Sequence, residues 1–189
     1  VALWGLGAFL IAISKNQKLA YLSWQFAHIG IIFIPISFFH TIYIFCELFR
    51  PRLLKAIYLQ GFIFLFLNFS GFLFKKTLVY SFNSFYYIQA TPVYSIFLTI
   101  WVMLVIYGHY YLIVGYKKLN RIKQIQIPYF FLGTFLGFGG GLINFFEVYN
   151  VHIYPYGNFT LPIYPIIVTY AIFRYRLMDV PLVITRTGI

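Results

Sequence analysis

The sequence predicts an all-α fold: a polytopic bundle of membrane helices with six transmembrane segments visible. Three observations lead there. Of the 189 residues, 62% are hydrophobic and 9% are charged, where a soluble domain carries about 25% charged residues. The apolar residues gather into six runs joined by short polar stretches. The basic residues are confined mainly to those stretches or to the edges of the runs. At a mean hydropathy of +0.84, so few charges cannot cover a water-facing surface, and lipid must be the solvent for most of the chain. The aromatic content, 24%, suits lipid-facing helices with interfacial belts.

The first run, residues 1–13, would span about 20 Å as a helix, short of the ~30 Å hydrocarbon core. No basic stretch precedes it, so it does not read as a signal peptide; it reads as the surviving end of a cut helix. The turn SKNQK leads to the second run, residues 21–48, which is long enough to span with tilt. Glu47, Arg50, Pro51 and Arg52 mark its end. The third run, residues 56–74, stops at Lys75 and Lys76, and an aromatic, polar loop covers residues 77–91. The fourth, residues 92–115, stops at Lys117 and Lys118. The fifth covers residues 127–148 and the sixth residues 161–178. Thr160 followed by Pro162 reads as the start of the sixth helix, although Asn158-Phe159-Thr160 also fits the glycosylation pattern. Barrel strands would be about 10 residues long and alternating, which these runs are not.

Basic residues set the orientation. With the first run starting inside, Arg50, Arg52, Lys55, Lys117, Lys118, Arg121, Lys123, Arg174, Arg176 and Arg186 face the cytoplasm, and Lys15, Lys18, Lys75 and Lys76 face outward. The positive-inside rule therefore expects a multi-pass protein with a cytoplasmic C-terminus. The formal charge of +11 belongs to this topology and to anionic lipid; nucleic acid is not an expected partner. The last stretch, YAIFRYRLMDVPLVITRTGI, reads as a membrane exit. Arg174, Arg176 and Asp179 form a collar, and Pro181 ends the helix.

In the fifth run Gly133, Gly137 and Gly141 recur every four residues. Glycines so spaced let membrane helices approach closely; the same stripe could also line a cavity. The ionisable and polar groups sort by depth. Gln25, His28, Asn144, Glu147 and His152 lie toward the outer face as a candidate sensing cluster, since a ligand or proton signal would arrive there. His40, Glu47 and His109 lie toward the inner face, with Glu47 beside Arg50 reading as an interfacial ion pair. Intramembrane ionisable groups raise a functional hypothesis by default, and neutral histidines bonded between helices are the competing structural account.

Cys46 is the single cysteine, so no internal disulfide is possible. No Cys or His pair has zinc-like spacing, and His28 and His40 are answered by only His109 on another segment. No metal, haem or other cofactor is expected. Neither a Ser/His/Asp arrangement nor paired carboxylates are present for catalysis, so the chain itself is not expected to be an enzyme.

The stretches LWGLGAF, HIGIIFIPISFFH, GFGGG with INFF, and IYPYGNF followed by YAIFRYRLMDV and ITRTGI resemble the N-terminal seven-transmembrane sensor region of bacterial histidine kinases. The closing YAIFRYRLMDV is the most specific part. The resemblance implies a sensor domain over residues 1–178 and the start of a cytoplasmic linker over 179–189. It implies seven helices in the intact domain, the first missing here, in a bacterial cytoplasmic membrane. It also implies a downstream cytoplasmic kinase, homodimerisation through that kinase, and a response regulator reached only through it. No ligand is implied. The competing reading is a small-molecule or ion transporter or channel, which would carry broken helices and intramembrane charge.

Overall fold

The computed structural model describes residues 1–175. Each of the six apolar runs becomes a helix: α1 (Ala2–Ala12), α2 (Gln17–Phe45), α3 (Pro51–Phe69), α4 (Pro92–Gly115), α5 (Arg121–Leu142) and α7 (Ile163–Tyr175). A short α6 (Asn144–Val148) follows α5 after a break at Ile143. The spans 17–45, 51–69, 92–118 and 121–148 are each long and apolar enough to cross a membrane. Polar residues at the edges of the runs explain where several helices begin. The side chains of Asn16, Thr91 and Asn120 accept hydrogen bonds from the backbone N–H groups of Leu19, Tyr94 and Lys123, each satisfying an amide that the first turn leaves without a helical partner. Pro51 and Pro92 occupy first-turn positions, where a missing N–H costs nothing.

Helix α2 is the centre of the bundle. Its residues Ile32, Ile36, Phe39 and Ile42 are at most 1% exposed, because α1, α3 and α4 all pack against it. The α1–α2 contact depends on two glycines. A Cβ on Gly7 would lie 2.5 Å from the Cβ of Ala27, and one on Gly30 would lie 2.7 Å from the backbone nitrogen of Trp4. Side chains this small allow the backbone-to-backbone packing that membrane helices use in place of a hydrophobic drive. The α2–α4 contact is fixed by the Trp101 indole, whose Nε1–H donates to the Ile31 carbonyl at 2.9 Å. The second packing unit is α5 against α7.

Residues 77–91 are more ordered than a loop. They contain an antiparallel hairpin, β1 (Val79–Ser81) with β2 (Phe85–Tyr87), in the register Val79 to Tyr87 and Ser81 to Phe85. The intervening turn carries Phe82 and Asn83 at positive φ. The hairpin caps one end of the bundle. The Trp24 indole on α2 donates to the Tyr86 carbonyl at 2.9 Å, and the Ala90 amide donates to the Val148 carbonyl of α6 at 3.0 Å. This hairpin end is the predicted outer face.

Two element boundaries differ from the sequence expectation. Helix α7 begins at Ile163, not beside Thr160, because the Thr160 hydroxyl is engaged elsewhere: it lies 3.0 Å from the Leu136 carbonyl and 2.8 Å from that of Gly157. Residues Tyr156–Thr160 instead form a 3₁₀ turn. The exit residues Arg176, Asp179 and Pro181, and the linker 179–189, lie outside the described residues.

Candidate functional site

The polar residues predicted for the outer face all lie toward the hairpin end, in two separate groups. The first joins α2 to α3 and α4. The Gln25 amide donates to the Asn68 carbonyl at 2.8 Å, and the Asn68 amide donates back to the Gln25 carbonyl at 2.9 Å. His28 is fully buried; its Nδ1–H donates to the Trp24 carbonyl at 2.8 Å, and its Nε2 faces the Tyr94 hydroxyl at 3.4 Å. Phe74, Tyr94 and Phe97 close around the imidazole ring. The sequence did not single out Asn68, although an asparagine in so apolar a helix needs a buried partner.

The second group joins the α5–α6 corner to the loop that enters α7. Asn144 and Asn158 exchange side-chain hydrogen bonds at 2.7 and 3.2 Å. Glu147 is buried to 3% side-chain exposure, and its carboxylate lies 3.0 Å from the Nδ1 of His152, whose own side chain is 66% exposed. A buried carboxylate thus has an exposed imidazole as its partner. The Tyr87 hydroxyl donates to the Asn144 carbonyl at 2.7 Å. Its own burial, and then the nearby Glu147 carboxylate, hold the Tyr87 phenol above the ordinary tyrosine range. Hairpin, α6 and the α7 entry loop therefore meet at one polar seam.

The inner set does not form a cluster. His40 bonds the Tyr58 hydroxyl of α3 at 2.7 Å. His109 donates from Nδ1 to the Val105 carbonyl at 2.9 Å and meets Thr134 of α5 at 3.0 Å. Glu47 pairs with Lys123 at 2.7 Å rather than with the expected Arg50. The chain turns after α2 and brings the start of α5 alongside, so the nearest cation comes from 76 residues away. The Lys123 ammonium holds the Glu47 carboxyl below its usual range.

The glycine stripe divides by role. A Cβ on Gly133 or Gly137 would touch Val168 or Tyr164 of α7 at 3.2–3.3 Å, so these two set the α5–α7 spacing. One on Gly141 would meet only Leu161, at 3.8 Å. Gly140, outside the predicted stripe, is the tightest: its Cβ would run into Thr160 Oγ1 and the Gly157 carbonyl.

Between the α1–α2 pair and the α5–α7 pair lies a cavity of about 370 Å³, within the ~300–1,000 Å³ range of ligand pockets. The hairpin end closes it with Tyr87, Asn144 and Asn158. Trp4, Trp24 and Trp101 line it; these are all three tryptophans of the chain. Among the described residues no Asp, Glu, Lys, Arg or His lines it. Among the described residues no three His, Cys, Asp or Glu side chains come together as a metal site.

No curated protein and no solved structure matches the chain. A family model for the N-terminal 7TM region of histidine kinase matches residues 1–181. With its apolar spanning helices and a match over nearly its whole length, the chain is a multi-pass membrane protein and belongs to the family of N-terminal seven-transmembrane regions of histidine kinases.

Proposed function

We propose that this sensory input region couples a stimulus at its outer face, or within the bilayer, to a cytoplasmic histidine kinase in two-component signalling. One observation carries the reading. The loop leaving α6 binds the hairpin end through Glu147–His152 and Asn144–Asn158, and the same loop leads directly into α7. Helix α7 packs along α5 at Gly133 and Gly137 and carries Arg174, the first of the basic exit residues. A stimulus that favours one arrangement of the polar seam would bias the α5–α7 packing and so the exit helix; such a shift requires differential affinity for two arrangements. The hairpin end then faces outward, the exit faces the cytoplasm of a bacterial inner membrane, and dimerisation proceeds through the kinase.

The test is output from the full-length protein in cells carrying a response-regulator-driven reporter. Glu147→Gln and His28→Ala should each change basal output at least twofold with normal membrane insertion. Wild-type output from both variants would remove these residues from sensing. Solute flux through the protein in liposomes would favour the transporter reading instead.

A further inference from the structure

We infer that the cavity between α1–α2 and α5–α7 is a binding site for a bilayer-borne amphiphile with one hydrocarbon chain and an uncharged hydrogen-bonding head group. This inference deepens the sensing proposal by naming a ligand class for it.

Shape points to a chain. The lining on α2 extends from Trp24 to Thr41, about 25 Å along the helix axis. A volume of about 370 Å³ drawn out over that length is narrow and suits one extended chain. The walls are Ile31, Phe138, Phe145 and Trp101, and apolar space of this kind stays free of water. Ser37, one turn before Thr41 at the far end of the lining, is exposed within a membrane-spanning helix, which would put the mouth of the cavity toward lipid.

Chemistry points to a neutral head. Among the described residues no Asp, Glu, Lys, Arg or His lines the cavity to compensate a carboxylate, phosphate or ammonium, its titratable side chains being the neutral phenols of Tyr87, Tyr94 and Tyr164, and burying such a charge without a partner is costly. The closed end is nonetheless polar. Both amide hydrogens of Asn144 are committed, one to the Gly141 carbonyl at 3.1 Å and one to Asn158. Asn158 donates one hydrogen to Asn144, which leaves it a second amide hydrogen, and each of the two amide oxygens keeps a lone pair. A hydroxyl or amide head group meets that set as both donor and acceptor. Gly141 leaves room beside it, since its nearest neighbour across the space is Leu161.

The three lining tryptophans make the site its own reporter. Full-length protein carrying Trp4→Phe is placed in phospholipid nanodiscs and titrated with a long-chain alcohol brominated in mid-chain. The expected result is saturable quenching of Trp24 and Trp101, reversed by the unbrominated alcohol. A fatty acid at a pH where it is ionised, and an alkane of equal length, should compete at least tenfold more weakly. Gly141→Leu should raise the half-saturating mole fraction at least tenfold. Competition among head groups does not depend on Gly141→Leu, so it decides the matter even if that variant does not fold. Quenching that rises linearly with probe, that the unbrominated alcohol does not reverse, or that ignores the head group would overturn the inference, as would no quenching at all because a segment of the full-length chain fills the space. Saturable binding without any change in kinase autophosphorylation would leave the site standing and overturn the sensing proposal.

Discussion

Adding one methyl group at Gly140 should loosen the hairpin end, while adding it at the neighbouring Gly139 should not. A Cβ at Gly140 would run into the Thr160 side chain and the Gly157 carbonyl, the second of which is backbone and cannot rotate aside. The 3₁₀ turn of residues Tyr156–Thr160 must then lift from α5, and the Thr160–Leu136 hydrogen bond at 3.0 Å stretches or breaks. Overpacking costs about 1–3 kcal/mol and the lost hydrogen bond about 1 kcal/mol, so Gly140→Ala should destabilise by roughly 2–4 kcal/mol. At about 2–4 °C per kcal/mol for a chain of this size, the midpoint should fall by roughly 5–15 °C. A Cβ at Gly139 meets nothing within 4 Å, so Gly139→Ala should gain helix propensity, up to about 1 kcal/mol. The assay is thermal unfolding in detergent, followed by a thiol-reactive dye at Cys46, the single cysteine, which is partly buried at the end of α2. Equal midpoints for the two variants would refute the close packing of turn and helix.

Three further outcomes follow from the same packing. Glu47 and Lys123 form an exposed pair whose carboxyl pKa is depressed in the folded state. That contribution is present above the unfolded carboxyl pKa and is lost as pH falls through the depressed folded value. Glu47→Gln should therefore lower the unfolding midpoint slightly at pH 7, and the difference should shrink as pH falls through the depressed folded value, checked by melting both proteins over an acid pH series; a difference that does not shrink with falling pH would contradict the pairing. The reciprocal Gln25–Asn68 bonds should show a coupling of about 0.6–1.7 kcal/mol in a double-mutant cycle with Gln25→Leu and Asn68→Leu, measured by unfolding in mixed micelles; additive single effects would mean the two amides act independently. For topology, cysteines placed at Lys76 and Lys118 in a Cys46→Ala background should be labelled by an impermeant maleimide from the outside and the inside of the membrane, respectively; the reverse pattern would invert the orientation.

What the sequence made legible follows from the range of each interaction. The six helices are local events, set by apolar runs and by polar residues at their edges, and all six were readable. Asn16, Thr91 and Asn120 cap the helices that follow them within three residues, which is a local signal too. The hairpin was not readable, because its strands are three residues long and too short to show alternation. The pairing of Glu47 with Lys123 spans 76 residues, and a nearby Arg50 offered a plausible local substitute. Asn158 was visible only as part of a glycosylation pattern, since its partner Asn144 is brought to it by the α5–α6 corner. The α1–α2 approach at Gly7 and Gly30 was masked by the denser glycine run in α5. The cavity is built from helices far apart in the chain, and of its lining only Gly137 and Gly141 were signalled in advance as cavity residues, by the glycine stripe of α5.

The central claim is that α5 and α7 shift against each other when the region signals. In a Cys46→Ala background of the full-length protein, Gly137→Cys and Tyr164→Cys would tie the two helices together. An ideal Cβ on Gly137 lies 3.2 Å from the Cβ of Tyr164, close to the ~3.5–4.5 Å of a disulfide. The decisive measurement is autophosphorylation of this protein in nanodiscs, oxidised and then reduced, with cross-linking verified by gel mobility. The account predicts at least a threefold difference between the two forms, restored to the uncross-linked rate by reductant; equal rates with the cross-link fully formed would contradict it.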